Sequence, residues 1–127
     1  MTLARLLLAC SSLTLAAGAL LHAAAFGKAL EVIAKSNLPP FFAASFRMLW
    51  IGDSATLILV AAIFAWVAVQ PSVAKRPIVF LAALIPASTA ALMYAFIGPF
   101  FAIPLLLAPS VAAGLAALLP GASETRA

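Results

Sequence analysis

The stretch Phe46–Gln70, FRMLWIGDSATLILVAAIFAWVAVQ, decides how this chain is read. A helix crossing the hydrocarbon core of a bilayer needs about 20 apolar residues, and counting that many back from Gln70 reaches Trp50. Arg47 then stands at the interface as an anchor, its guanidinium among the headgroups, while Asp53 lies about one turn inside. A carboxylate is too short to reach out from that depth, so it needs a partner, a water path or a proton. Arg47 is a poor partner within one straight helix: six residues correspond to about 240° of rotation, so the side chains leave on different faces unless Gly52 permits a distortion.

The rest of the chain repeats this character. Of its 127 residues 67% are hydrophobic and 8% charged, with a mean hydropathy of +1.25. A soluble domain has about a quarter of its residues charged. Apolar blocks run over Leu6–Phe26, Leu49–Val69, Ile78–Ile97 and Phe101–Leu119. The expected fold is therefore an all-α integral membrane protein: a four-transmembrane-helix bundle with short loops, both termini on the same side, and a single domain over 1–127. The approximate helices are 6–26, 41–70, 78–97 and 101–119. The net charge of +4 comes from cations that flank apolar blocks, which fits anchoring at a lipid surface and argues against nucleic acid. Residues 1–25 resemble a signal peptide in having Arg5, an apolar core and Ala23–Ala25, but the core is long enough to span, and a retained helix is expected. Cys10 has no partner in the chain with which to form a disulfide.

The longest polar link, Gly27–Pro40, holds Lys28, Glu31 and Lys35 at helical spacing. It reads either as a short amphipathic turn at the interface or as a solvated extension of the first helix. Ser36 or Asn37 is expected to cap the next helix, which Pro39 and Pro40 would start near Phe41. From there to Gln70 is about 44 Å, longer than the lipid core, so one end stands among the headgroups.

Pro86 lies mid-way along the third block, where a kink is expected, with Ser88 and Thr89 hydrogen-bonding the backbone it exposes. Pro104 and Pro109 lie in the fourth, which is expected to begin only after Pro104. Ala83, Ala87, Ala91 and Ala95 recur every four residues along the third helix, and Ala108, Ala112 and Ala116 along the fourth. Small residues on one face favour close packing, within the molecule, in a homodimer or against a partner membrane protein.

Arg5, Lys75, Arg76 and Arg126 fall on one side of a four-crossing bundle; Lys28, Lys35 and Arg47 fall on the other. Cations prefer the cytoplasmic side, so both termini are predicted inside, with a margin of about one charge. Compactness and short links point to a cytoplasmic (inner) membrane. In this topology His22, Asp53 and Tyr94, from three helices, reach one shallow layer, with Trp50 one turn above Asp53. An acid, a base and a phenol there could share hydrogen bonds, take up a proton or line a pocket for a small ligand. Each also has a plainer role: Asp53 as a cap or cross-link between helices near the interface, His22 as a hydrogen-bond partner of neighbouring backbone, Tyr94 and Trp50 as parts of an aromatic belt.

The residues offer no recognised metal-ligand spacing, no nucleophile with its base, no phosphate loop and no cofactor motif. A noncatalytic structural or accessory membrane component is therefore expected. The alternative is a small proton- or cation-coupled transporter or channel using Asp53. The four-helix plan is similar to that of small multidrug resistance exporters, but these carry a membrane-embedded glutamate in the first helix. Leu6–Phe26 has none, so no activity is carried over from that family.

Overall fold

The computed structural model describes residues 1–73 and 75–119. They form α1 (Leu3–Ala24), α2 (Phe26–Ala34), α3 (Pro40–Val69), a 3-10 turn (Pro71–Val73), α4 (Arg76–Ile97) and α5 (Ala102–Leu118), with no strand among the described residues. Three segments are long and apolar enough to cross a membrane: Leu3–Ala34, Pro40–Val69 and Arg76–Ile97. The fourth, α5, is apolar and shorter, at 17 residues. Arg126 lies outside the described residues.

Local chemistry explains the boundaries. α1 starts ahead of the expected Leu6 because the Thr2 hydroxyl accepts the Arg5 backbone N–H, satisfying one of the free donors at the helix start. The link after α1 contains a helix of its own, α2, separated from α1 only at Ala25. Ser36 does not cap α3 as expected; its hydroxyl donates to the Ile33 carbonyl and closes the end of α2. α3 needs no such cap, since Pro40 stands at its start, where a missing N–H costs nothing. α5 begins at Ala102, before Pro104, because proline within the first turn of a helix removes no internal hydrogen bond. Between α4 and α5 the chain turns at Gly98, whose φ of +85° favours a residue without a Cβ.

The helices meet along seams that alternate steps of three and four residues. Leu8, Ser12, Leu15 and Ala19 are buried on α1; Ser54, Leu57, Ala61, Phe64 and Ala68 on α3; Val79, Ala83, Pro86 and Ala90 on α4; Leu106, Ser110, Ala113 and Ala117 on α5. This average step of about 3.5 residues keeps one face turned to a neighbour, as in helix bundles. α1 lies between α3 and α5, α4 packs along α5, and α3 and α4 touch little. The alanine stripes follow a different path. Ala83 is buried and Ala87 half-buried, while Ala91 and Ala95 are exposed; on α5, Ala116 is buried and Ala108 exposed. The outer faces carry large apolar side chains, among them Leu13, Leu59, Trp66, Leu81 and Phe96.

Four serines reach the interior, and each has a hydrogen-bond partner. Ser12 donates to the Ala61 carbonyl at 2.7 Å and Ser11 to the Pro109 carbonyl at 2.9 Å, tying α1 to both neighbours. Ser110 donates to Leu106 in its own helix. Ser88 and Thr89 both donate to the Ile85 carbonyl. That corrects the expected role: Pro86 frees the carbonyl four residues before it, that of Ala82, whereas side chains at 88 and 89 reach back only three or four.

Candidate functional site

α1 and α3 run antiparallel, and each end of the pair is closed by polar side chains. At one end Arg5 Nε donates to the Ala68 carbonyl at 2.6 Å and a terminal guanidinium nitrogen to the Val69 carbonyl at 3.2 Å. These are final carbonyls of α3, which have no helical partner of their own. The sequence marked Arg5 as a topological charge and as the charged start of a signal-like segment, not as a helix cap. A signal for this second role was present, since a cation is favoured at a helix C-terminus, but which C-terminus it reaches is a tertiary fact.

The other end holds the predicted cluster. Trp50 Nε1 donates to the His22 carbonyl at 2.9 Å, within the last turn of α1. The two rings stack with centroids 4.3 Å apart and planes inclined by 9°. His22 Nδ1 lies 2.8 Å from Ser54 Oγ, and Ser54 Oγ lies 3.3 Å from the Trp50 carbonyl. When Ser54 donates to that carbonyl, its oxygen accepts the Nδ1 proton of His22, and Nε2 keeps its lone pair. Asp53 Oδ2 is 4.0 Å from His22 Nδ1, with side-chain exposures of 36% and 32%.

The structure thus brings together His22, Trp50 and Asp53 and adds Ser54. Ser54 was readable as a neighbour of Trp50, because residues four apart share a helix face and Ser54 continues the α3 seam. Tyr94 is not part of the group: it is 62% exposed, with no hydrogen bond or ring contact to the other three. The phenol came to the same depth by counting along the helix, but its rotation turns it outward. Arg47 is exposed near the start of α3. Among the described residues no three His, Cys, Asp or Glu side chains are grouped to hold a metal ion.

Beside this cluster a groove of about 410 Å³ opens between α2 and α3. Its walls include Val32, Ile33, Leu38 and Phe46, with Lys28 and Trp50 among its lining residues. Trp50 therefore belongs to both features, its indole nitrogen turned to α1 and its side chain reaching the groove. Compared with protein-family models, curated proteins and solved structures, the chain matches none of them.

Proposed function

We propose that this protein is a noncatalytic structural or accessory component of the cytoplasmic membrane, crossing it four times through α1, α3, α4 and α5. One observation carries the reading: the polar side chains that enter the bundle close on helix carbonyls or on one another. Ser11, Ser12 and Trp50 each bind a carbonyl of another helix, and Ser54 joins His22. Such hydrogen bonds hold helices together where apolar contact with lipid and with protein are nearly equivalent. The apolar outer faces and the short links support the crossing itself. α5 is at the short end of the spanning range and suits a slightly thinned core.

In this reading both termini are cytoplasmic. Arg5, Lys75 and Arg76 mark one end, and Lys28, Lys35 and Arg47 the other, so Arg126 decides the balance. In a Cys10→Ala background, an impermeant thiol reagent added outside should label a cysteine placed at Ser36 and not one placed at Ser72.

The transport reading is favoured by one contact, the 4.0 Å approach of Asp53 to His22 in a partly open setting. Proton and small-cation flux into proteoliposomes, with Asp53→Asn at equal density, separates the two. Wild-type protein and variant should both match empty vesicles; flux present in the wild type and lost in the variant would replace the structural reading with transport.

A further inference from the structure

We infer that the groove between α2 and α3 is a binding site for an anionic phospholipid, one acyl chain lying against the apolar walls and the headgroup held by Lys28 and Lys35. The inference rests on the membrane reading above and adds a ligand to it. The groove, at about 410 Å³, is within the range of small-molecule sites. Its lining is apolar along Val32, Ile33, Leu38 and Phe46, which suits a hydrocarbon chain and not a soluble polar metabolite. The charge around it has one sign in excess. Lys28 lines the groove, Lys35 follows α2, and Arg47 is the chain neighbour of Phe46; Glu31 is the one acid of that segment. Among the described residues no ion pair holds any of the three cations.

An apolar groove with Lys28 on its lining, and Lys35 about two turns further along at the end of α2, is complementary to an amphiphile with a negative head. A short amphipathic helix at the membrane surface is where such a molecule meets protein. A zwitterionic phospholipid would fill the walls equally well, but its headgroup brings an ammonium with its phosphate and so offers the lysines no net counter-charge. The excess of cations therefore selects the anionic lipid.

The test uses the full chain with Trp66→Phe, which leaves Trp50 as the one indole. It is reconstituted in vesicles containing brominated phosphatidylglycerol or brominated phosphatidylcholine at equal mole fraction. Bromine on an acyl chain in the groove quenches Trp50. The brominated anionic lipid should quench at a several-fold lower mole fraction. Lys28→Gln should reduce that preference about fivefold, as expected for removing one cation at a charged surface. Ala29→Leu, which narrows the groove and keeps its charge, should weaken quenching by both lipids, with helix content checked by circular dichroism.

Equal quenching by the two lipids in a chain that resists carbonate extraction would overturn the inference and leave the membrane reading standing. A chain that carbonate releases would overturn both. A preference that survives Lys28→Gln and Lys35→Gln together would assign the selectivity elsewhere and also overturn it.

Discussion

The two ends of the α1–α3 pair are closed by opposite means. At one end a single guanidinium on α1 takes the last carbonyls of α3. At the other an uncharged indole on α3 takes a carbonyl in the last turn of α1. The rule beneath both is the same: helix C-termini leave carbonyls without partners, and in an antiparallel pair each helix can supply the other's missing donor. The means differ because α3 stops at the Arg5 end but continues past the His22 end to Pro40. Where it stops, a flexible cation can wrap over its end. Where it continues, the donor has to come from a side chain on the flank of an intact helix, and a rigid ring that also stacks on His22 serves.

This contrast predicts unequal consequences of mutation. Arg5→Gln should have the largest effect, destabilising the bundle by about 2 kcal/mol in reversible denaturation in mixed micelles, since bonds from a charged donor are the stronger kind. Arg5→Lys should recover part of it. A loss at the Arg5 end no greater than at the Trp50 end would remove the distinction between the two. Trp50→Phe keeps the ring and removes the donor, and should cost about 1 kcal/mol by the same measurement. Ser54→Ala should cost about 0.6 kcal/mol and leave the indole bond in place, which Trp50 fluorescence would report. Asp53→Asn should have the smallest effect, within about 0.5 kcal/mol, because a partly exposed pair at 4.0 Å contributes little. Combining Arg5→Gln with Trp50→Phe sharpens the comparison further. The two closures share no partner and should add to within about 0.5 kcal/mol; a larger coupling would show that the pair shears as one body.

The legible part of the molecule was its one-dimensional content. Block lengths located the helices to within a few residues, and the depth count placed His22, Trp50 and Asp53 at one end. Rotation was not legible in the same way. A repeat of four residues advances about 400°, so each step turns a stripe about 40° away from its starting face. Ala83 therefore begins in the interface and Ala91 and Ala95 leave it, whereas the alternating path through Val79, Ala83, Pro86 and Ala90 stays buried. The same rotation takes Tyr94 out of the cluster and brings in Ser54. Arg5 was missed for another reason: its partners are backbone carbonyls, which every residue has, so no residue type in the sequence marks them.

The seating of α1 between α3 and α5 also orders events as the chain is made. α1 is made before both of its neighbours and finds α3 soon but α5 only much later: the Ser11 hydroxyl meets a carbonyl 98 positions on. Contacts so distant along the chain form late, because a long loop must close before they reward it. Until α5 arrives, one flank of α1 presents Ser11 and its small neighbours without their final partner, the kind of unfinished surface that chaperones and proteases recognise. α1 is thus made before both of its neighbours, yet it is enclosed on both flanks only once α5 has followed.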